Sequence, residues 1–494
     1  MYYPTLKEFL KLSVRYNVIP VYKEINADLD TPVSAFLKIK RGGYAFLLES
    51  VEGQEKIARY SFLGANPSLV FKSKGKLVEI YYPKQKRTRR FITKTTPLDE
   101  IKSIMQGVDA AQVKGLPRFF GGLVGYIGYD FVRFFEEIPA KNPDDLKLFD
   151  AVFMLTDTLL VFDHVNHTIK IVNNVVLPKN KSTIKTLKSK KAYYSALEKI
   201  EGVQRDLSRA LQQENNKHQN LSPVRIKSNL TKRQFCAIVQ QAKNYIKRGD
   251  VIQVVLSQRF KSAIRNEPFD IYRKLRSLNP SPYMFFLDFK DVVLAGSSPE
   301  MLVRCENGTI ETRPIAGTRP RGKDEEQDLA LEKELKASEK EKAEHIMLVD
   351  LGRNDIGRVC KWGRVMVEEF MQVERYSHVM HLVSSVRGVL ENKYDCFSAL
   401  KSCFPAGTVT GSPKIRAMEI IDELENMRRG PYAGCVGYFS FSHNMDTCIT
   451  IRTIVIKGDT AYIQAGAGIV ADSVPHREYT ETVNKAKALF EAIS

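Results

Sequence analysis

The chain has 494 residues, of which 43% are hydrophobic and 27% charged. This balance is typical of a globular protein with a sizeable core and excludes a largely disordered or fibrous one. At about 100–200 residues per domain, the length predicts two or three domains, or one large two-part fold. No uncharged apolar run approaches the ~18–20 residues of a membrane span, and no secretory signal is evident, so we expect a cytoplasmic protein without membrane contact.

The net charge of +18 is concentrated in two basic runs, at residues 84–90 and 179–191. Neither run is interleaved with aromatic residues, and no helix-turn-helix or zinc-finger spacing accompanies them. We therefore interpret them as solvated surface and predict no nucleic-acid partner. The seven cysteines include no C-x-x-C pair, which favours reduced thiols over disulfides or a zinc module.

The first part of the chain, residues 1–188, is predicted to be an N-terminal domain of helix and short strands. Glycine, proline and asparagine separate the predicted strands, which lie at 44–49, 69–71, 152–162 and 168–172. A polar segment follows that ends in a run rich in glutamine and asparagine. We predict that this segment, residues 189–230, is a linker.

The remaining residues, 231–494, are predicted to form a second domain, and its first helix has a clear start signal. Thr231 and Gln234 have the spacing of a capping box, and Gly249 ends the helix. The strand predicted at 251–260 alternates, so that one face is apolar and the other carries polar side chains available for chemistry. Its apolar face comprises Ile252, Val254, Leu256 and Phe260, and its polar face Gln253, Ser257 and Arg259.

Further strands and helices follow in blocks. Short strands are predicted at 292–296 and 301–304, and Asn307-Gly308 predicts a hairpin turn into a strand at 309–313. Later come a charged helix at 325–351, a helix opened by Ser412-Pro413, strands at 435–441, 448–456 and 461–464, and a last helix from 475. Because strands and helices do not alternate one by one, the predicted fold class is α+β.

Three short patterns suggest other chemistry, and each fails on its context. The run from Gly466 to Ala471 matches a dinucleotide-binding pattern, but the chain ends before a second strand could supply the acid for the ribose. Cys435 lies in a broken version of the nucleophile turn of glutamine amidotransferases, and a buried thiol is the better interpretation. His378 and His381 lack a third zinc ligand nearby.

Four longer motifs carry a specific resemblance. They are PIAGTRPRG at 314–322, EHIMLVDLGRND at 344–355, FPAGTVTGSPK at 404–414 and QAGAGIV at 464–470. In this order they resemble the chorismate-utilising enzymes, and among these the branch that makes anthranilate in tryptophan biosynthesis. The segments 47–50 and 121–130 extend the resemblance over nearly the whole chain. It implies an α+β fold of large antiparallel sheets covered by helices, in two interlocked halves.

The resemblance implies a lyase that removes the 4-hydroxyl of chorismate while ammonia enters at C2, and then eliminates pyruvate. Such a site needs a metal, an acid for the departing hydroxyl and donors for two carboxylates. The motifs place Glu344 and Glu481 as ligands of Mg²⁺ and Glu300 as the general acid. Taken alone, Glu344 is one of many acids in a charged helix, and Glu481 with Lys485 is an ordinary surface pair.

The other implied site residues fall into three groups. His381 matches a histidine that assists the elimination, and Gln253 stands where a lysine would activate water in isochorismate synthases. Substrate-contacting positions are Gly317, Thr318, Tyr432, Arg452, Gly466, Ala467 and Gly468. A feedback site for tryptophan is implied at Ser50, Pro282, Tyr283 and Met284.

Two positions distinguish the possible reactions. An amide such as Gln253 cannot act as a base for water, which favours ammonia as the nucleophile. Aminodeoxychorismate synthase component I, the alternative, has a lysine where this chain has Ala316. A non-catalytic regulatory subunit would have lost the acidic site residues, all of which are present. In the last helix, His476 and Thr480 depart from the usual acids.

The chain contains no intact glutaminase signature. The resemblance therefore implies that ammonia comes from solution or from a separate glutamine amidotransferase subunit, component II. We expect a heterotetrameric complex with that partner, with chorismate as substrate and tryptophan as inhibitor.

Overall fold

The structure, a computed structural model, describes residues 1–50, 59–178, 185–211, 225–376 and 379–494. Its strands are β1 (Tyr2–Tyr3), β2 (Val18–Asn26), β3 (Ala45–Glu49), β4 (Tyr60–Ala65), β5 (Leu69–Lys74), β6 (Leu77–Tyr82), β7 (Arg87–Ile92), β8 (Gly122–Ile127), β9 (Ala151–Thr156), β10 (Thr158–Asp163), β11 (Thr168–Val176), β12 (Lys227–Ser228), β13 (Gln253–Ala263), β14 (Tyr283–Asp288), β15 (Val293–Ser298), β16 (Met301–Glu306), β17 (Thr309–Thr312), β18 (Ile315–Pro320), β19 (Cys360–Arg375), β20 (Val379–Leu390), β21 (Gly411–Ser412), β22 (Cys435–Ser440), β23 (Met445–Ile449), β24 (Thr453–Lys457) and β25 (Thr460–Ile469). Its α-helices are α1 (Leu6–Arg15), α2 (Pro32–Ile39), α3 (Pro97–Met105), α4 (Lys185–Leu207), α5 (Lys232–Lys247), α6 (Pro268–Leu278), α7 (Glu325–Ala337), α8 (Glu339–Gly357), α9 (Cys396–Cys403), α10 (Lys414–Leu424) and α11 (Pro475–Ile493).

The strands form two large antiparallel sheets. The first has the order β1-β2-β11-β10-β4-β3-β14-β15-β24-β25-β13-β12, with β21 also paired to β13. The second has the order β18-β20-β17-β16-β23-β22-β8-β9-β5-β6-β7, with β19 also paired to β20. Both sheets are open, and helices cover them, as the α+β prediction requires.

Both sheets contain strands from either side of residue 230. In the first sheet β3 pairs with β14, so that Ala45 lies opposite Asp288 and Glu49 opposite Met284. In the second sheet β8 pairs with β22, which places Gly125 opposite Gly437. The predicted α+β class with two interlocked halves is confirmed. The domain bounds stay a prediction, and α4, within the predicted linker, packs against β11.

The alternation along β14 shows how the core is layered. Phe285 and Leu287 belong to the hydrophobic cluster shared by the two sheets. Met284 and Phe286 point to the opposite face, where they pack in a second cluster beneath the helices. Each fully buried large apolar side chain stabilises the fold by about 1.5–3 kcal/mol. Because both faces of this strand are buried, its neighbours are held rigidly in register.

Two local predictions are confirmed. Thr231 accepts a hydrogen bond from the Gln234 N–H, and the Gln234 side chain accepts one from the Thr231 N–H at 2.9 Å, which completes the capping box of α5. Asn307 and Gly308 have φ angles of 51° and 78° and join β16 to β17. Two consecutive left-handed residues are what this tight hairpin turn requires.

Three predicted elements are each interrupted in the structure, and a fourth begins later than predicted. The strands predicted at 152–162 and 448–456 are each two strands, interrupted at Asp157 and around Arg452. The predicted helix 325–351 is two helices, because Ser338 accepts a hydrogen bond from the Glu341 N–H and starts α8. Ser412 pairs with Gln253 in the first sheet, so α10 begins only at Lys414.

The polar side of β13 is buried rather than open. Gln253, Ser257 and Arg259 are 5%, 1% and 5% exposed. The predicted polar face is therefore closed to solvent, and its side chains can meet a ligand only in an internal cavity. Within the described residues, no helix has the length and apolar character needed to cross a bilayer.

Candidate active site

Glu300 lies in the turn between β15 and β16, with its carboxyl group removed from water. This burial raises its pKa above the ordinary value for glutamate. The Thr408 hydroxyl donates a hydrogen bond to Oε2 at 2.8 Å, and together with the charges of Lys485 and Arg452 it partly offsets that rise. A carboxyl group in this setting retains its proton to higher pH and is suited to donate it to a leaving group.

His381 lies on β20 opposite an irregularity in β18. The register shifts between Ala316 and Arg319, so that Gly317 and Thr318 bulge towards the imidazole. His381 Nδ1 lies 2.8 Å from the Gly317 carbonyl oxygen and 3.1 Å from Thr318 Oγ1. A carbonyl only accepts, so Nδ1 carries the proton and Nε2 keeps its lone pair. Burial lowers the pKa of His381, which keeps the ring neutral near pH 7.

Gly317 is required for this bulge. Its φ of +64° lies in the left-handed region, and a methyl group there would come within 2.9 Å of Leu335 Cδ1 and 3.1 Å of Glu341 Oε2. The glycine thus lets β18 approach α7 and α8 closely while its carbonyl fixes His381.

Glu344 on α8 and Glu481 on α11 come from distant parts of the chain and interact electrostatically. Burial raises the pKa of Glu344, and the negative charges of Glu341 and Glu481 raise it further. Glu478, one turn before Glu481, also has a raised pKa, caused by burial and then by the charge of Glu481. The two predicted metal ligands therefore lie within electrostatic reach of each other.

This acidic group fits a partly hydrated divalent cation. The described residues contain no cluster of three or more histidine, cysteine, aspartate or glutamate side chains that could hold a metal by themselves. Magnesium prefers one or two carboxylates with water and a ligand's oxygens completing its shell. Burial is the largest cause of the raised pKa of Glu344, and the charges of Glu341 and Glu481 add to it. A divalent cation would relieve both effects.

Arg452 follows β23 and has a left-handed φ of 48°. Its Nη1 donates a hydrogen bond of 3.3 Å to Asn279 Oδ1, and its carbonyl accepts one of 3.1 Å from the Ser297 N–H. No ion pair to this guanidinium occurs among the residues that the structure describes. Desolvation lowers its pKa, partly offset by the charge of Glu300. A desolvated arginine without a carboxylate partner is a ready site for an anionic ligand.

The glycines of β25 form a narrow strip that two side chains approach. A methyl group at Gly466 would come within 2.6 Å of the Tyr432 hydroxyl, and one at Gly468 within 2.4 Å of Gln253 Nε2. Ala467 faces the opposite side of the strand and is fully buried. Gly466 and Gly468 lie within the ladder between β13 and β25, so they form no loop of the dinucleotide-binding type.

Electrostatic contacts connect these parts. Arg452 influences the pKa of both Glu300 and His381, and Glu300 raises the pKa of Tyr432 after the larger effect of burial. Lys485 lowers the pKa of both Glu300 and Glu344. These interactions connect the predicted acid, the histidine, the metal ligands, Arg452 and Tyr432 in one region, whereas Ala467 faces the other side of β25.

The sequence reasoning missed two residues of this region. Thr408 lies inside the 404–414 motif and bonds Glu300. Lys485, interpreted as the surface partner of Glu481, forms that ion pair at 2.7 Å but also donates to the Gly466 carbonyl at 3.1 Å. The i, i+4 spacing of Glu481 and Lys485 does not predict the hydrogen bond from Lys485 to Gly466, because that contact depends on how α11 packs on β25.

The four residues predicted to bind the inhibitor lie at a separate pocket, which we call the second pocket. Its volume is about 1030 Å³, including the solvent-filled space at its mouth. Ser50, Pro282, Tyr283 and Met284 all line it. The Tyr283 hydroxyl donates to Asp446 Oδ1 at 3.0 Å, and the Ser50 hydroxyl is buried without a partner among the described residues. The implied inhibitor residues are therefore brought together in a pocket that Glu300 does not line.

Of two alternatives from the sequence, the structure resolves the one at Cys435. Cys435 is buried in β22, and this burial raises its pKa to about 12, so it is not a reactive thiolate. His378 lies outside the described residues, and His381 belongs to the site around Glu300.

Residues 44–491 match the family described as chorismate binding enzyme. The chain belongs to this family. A protein of Acetivibrio thermocellus named anthranilate synthase component 1 is 50% identical, over 100% of this chain and 99% of that protein. One of the same name from Pseudomonas putida is 43% identical, over 99% of this chain and 98% of its own.

Solved structures agree with this membership. The crystal structure of anthranilate synthase component I from Streptococcus pneumoniae TIGR4 superimposes with a TM-score of 0.77 at 37% identity, over 94% of this chain and 99% of that one. The menaquinone-specific isochorismate synthase of Escherichia coli has a TM-score of 0.67 at 18% identity, over 99% of each chain, and this likeness concerns the fold alone.

The acidic group predicts a specific loss of metal affinity. Glu344→Gln should weaken Mn²⁺ or Mg²⁺ binding by at least about tenfold, because it removes one of two carboxylates from a sparse ligand set. Titration calorimetry of the full chain measures this. Glu339→Gln is the matched control, since Glu339 begins the same helix, is 87% exposed and pairs with Lys342. Equal binding by both variants would contradict the assignment.

Proposed function

We propose that this chain is the chorismate-converting component of an anthranilate synthase, which acts in tryptophan biosynthesis. The reaction is chorismate plus ammonia to anthranilate, pyruvate and water. The observation that carries this proposal is Glu300, a desolvated carboxyl group of raised pKa in the same region as the Glu344–Glu481 pair and Arg452, which forms no ion pair with any described residue. The relatives named anthranilate synthase component 1, similar over the full chain, support it.

Glu344 and Glu481 would hold a magnesium ion, with water and a carboxylate of chorismate completing its shell. When bound, this ion supplies positive charge that neutralises the carboxylate and orients the ring. Glu478 lies close enough to support the ligands through its charge.

Arg452, Tyr432 and the glycine strip hold the dianionic substrate. The free N–H groups of the Arg452 guanidinium suit bidentate contact with a carboxylate. The Tyr432 hydroxyl stands beside Gly466, where the absence of a side chain lets a flat ring lie close to the backbone. Gly317 and Thr318 lie next to His381 and would contact the substrate there.

Glu300 donates its proton to the 4-hydroxyl as the C4–O bond breaks and ammonia bonds to C2. Gln253 cannot deprotonate a nucleophile, but its buried Oε1 has no hydrogen-bond partner among the described residues and can accept from ammonia. In the second half of the reaction, the neutral His381 ring assists removal of the C2 proton through Nε2. The enolpyruvyl C–O bond then breaks, its methylene gains a proton, and pyruvate leaves the aromatic ring.

The alternative, aminodeoxychorismate synthase component I, requires a lysine nucleophile that this chain lacks. Ala316, at that position, is a buried residue of β18 without a nucleophilic group. Amination at C2 is therefore favoured over amination at C4.

We further propose that a glutamine amidotransferase supplies the ammonia. The relatives are named component 1, which denotes one part of a larger synthase. We propose a cytoplasmic heterotetramer of two such chains and two amidotransferase subunits.

The second pocket is proposed to bind tryptophan as a feedback inhibitor. Its walls combine apolar side chains, among them Phe62 and Met284, with charged groups such as Arg118 and Glu306. An amino acid with a large ring needs this combination. The Ser50 hydroxyl, which has no hydrogen-bond partner among the described residues, offers a hydrogen bond to the polar end of such a ligand.

The function is tested by incubating the chain with chorismate, Mg²⁺ and ammonium and recording anthranilate fluorescence. Anthranilate should form, and Glu300→Gln should lower the rate by about 10²–10⁴-fold because it removes the acid. Glu339→Gln serves again as the control and should retain activity. A product other than anthranilate, or full activity of Glu300→Gln, would contradict the proposal.

The pH profile tests the protonation state of Glu300. Since the protonated acid is active, the rate should fall as pH rises through its raised pKa. Thr408→Val removes a hydrogen bond that favours the charged form, so the alkaline limb of kcat should move to higher pH. Thr408→Ser keeps the donor and should restore the original profile. An alkaline limb that stays in place in Thr408→Val would show that another group controls it.

Tryptophan inhibition tests the second pocket. Ser50→Ala should raise the tryptophan concentration for half-inhibition by about tenfold, at unchanged kcat, because one buried hydrogen bond to the ligand is lost. Ser208→Ala, at the exposed end of α4, is the control. Identical inhibition of both variants would exclude Ser50 from the inhibitor site.

A further inference from the structure

Arg452 belongs to a closed set of hydrogen bonds with Asn279 and Ser297, which we call the Arg452 network. Its Nη1 donates to Asn279 Oδ1 at 3.3 Å. Asn279 Nδ2 donates to Ser297 Oγ at 2.9 Å, and the Ser297 N–H donates to the Arg452 carbonyl at 3.1 Å. The network therefore holds both the backbone of Arg452 and one end of its guanidinium group.

Asn279 is itself firmly anchored. It directly follows α6, and its N–H donates to the Leu275 carbonyl at 2.9 Å. Its own carbonyl accepts a hydrogen bond from the Ser297 hydroxyl, and Ser281 Oγ lies 2.9 Å from the same hydroxyl oxygen. Ser297 is fully buried in β15. The amide that faces Arg452 is thus attached to the end of a helix and to a central strand.

The orientation of the Asn279 amide follows from its two neighbours. A guanidinium group only donates hydrogen bonds, so the amide oxygen must face Arg452. The amide nitrogen then faces Ser297, whose hydroxyl proton is already used by the Asn279 carbonyl and whose oxygen can accept. An amide satisfies both contacts at once. A carboxylate would have no hydrogen to donate to the Ser297 oxygen.

The neutrality of Asn279 matters for the charge of Arg452. In the part of the chain that the structure describes, this guanidinium has an amide partner and no carboxylate partner. With Nη1 engaged by Asn279, the edge formed by Nε and Nη2 remains available for two parallel hydrogen bonds to a carboxylate. An aspartate in place of Asn279 would form an ion pair there and compete with an anionic ligand.

The backbone of Arg452 needs the support that the network gives. Its φ of 48° lies in the left-handed region, which is uncommon for a residue other than glycine. Such a conformation costs about 1–3 kcal/mol and persists only where the surrounding contacts enforce it. The Ser297 N–H enforces it from β15, and the Thr453 hydroxyl closes the same turn by donating to the Ile451 carbonyl at 2.9 Å.

We propose that Asn279 is a positioning residue of the active site, which orients the Arg452 guanidinium for bidentate contact with a substrate carboxylate and leaves its charge free. This inference rests on the proposed function, since it concerns the substrate of that reaction. Asn279 acts through Arg452, and its value lies in being an amide: it fixes the direction of the guanidinium without neutralising it.

The test measures chorismate binding to the full chain by titration calorimetry, with Mg²⁺ present and ammonium absent. Asn279→Leu has a branched side chain of similar shape but loses the orienting hydrogen bond, and it should raise the Kd by about threefold to tenfold. Asn279→Asp adds a competing carboxylate and should raise the Kd further, by at least about tenfold.

The kinetic constants supply a second readout. With ammonium present, the KM for chorismate should rise in both variants in the same order as the Kd. Because Arg452 holds the carboxylate in the ground state and the transition state alike, kcat and the KM for ammonium should stay at their wild-type values.

A double-mutant cycle shows whether Asn279 acts through Arg452. In an Arg452→Gln background, neither Asn279 substitution should weaken chorismate binding any further. Ser297→Ala provides an independent variant, since it removes the hydroxyl that fixes the amide but keeps the N–H on the Arg452 carbonyl, and it should raise the Kd by about threefold. Asn426→Asp is the matched control. Asn426 is exposed, lies just beyond the end of α10 and bonds Asn229.

The outcomes separate this inference from the proposed function. A wild-type Kd in Asn279→Leu and Asn279→Asp overturns the inference, and so does a loss of binding that persists undiminished in the Arg452→Gln background. Equal changes in kcat and in both KM values, with a lower melting temperature, identify a structural role only and overturn it as well. If the wild type binds chorismate as described but makes a product other than anthranilate, the proposed function fails and the inference stands. A wild type that binds no chorismate overturns both.

Discussion

The active site depends on carboxylates that are held partly out of water with too little positive charge around them. Burial raises the pKa of Glu300, Glu344 and Glu478, and Lys485 lowers all three. Lys485 is itself paired with Glu481 and bonded to the Gly466 carbonyl. Arg452 also lowers the pKa of Glu300, and Lys340 lowers those of Glu344 and Glu478, but these charges do not outweigh burial. This arrangement has two chemical consequences. It raises the pKa of one carboxyl group, Glu300, and it favours a divalent cation.

The fold supplies this arrangement through strands that the chain brings together from distant positions. Ile449 ends β23 and donates from its N–H to the Glu300 carbonyl, while the Ser298 hydroxyl donates to the Ile449 carbonyl. Cys448, the preceding residue, lines the second pocket. Glu300, the proposed general acid, is therefore bonded to the same strand that lines the proposed inhibitor pocket, and a ligand that moves β23 would act on both.

The sequence predicted the parts of this account that depend on local pattern or on long motifs. The capping box at Thr231 and the Asn307-Gly308 turn follow from short-range hydrogen bonding and backbone preference. Interruptions such as Ser338 between α7 and α8 were missed, because the charged pattern continues across the serine. Contacts such as Thr408 with Glu300 were missed for a different reason. They join residues more than a hundred positions apart, and a single sequence does not show which of its distant residues are in contact.

The central claim is that Glu344 and Glu481 converge on one divalent cation. Anomalous diffraction from crystals of the full chain soaked in Mn²⁺ tests this directly. The account predicts one strong peak between the two carboxylates, within coordination distance of an oxygen of each. A peak elsewhere, or none at saturating Mn²⁺, would contradict it.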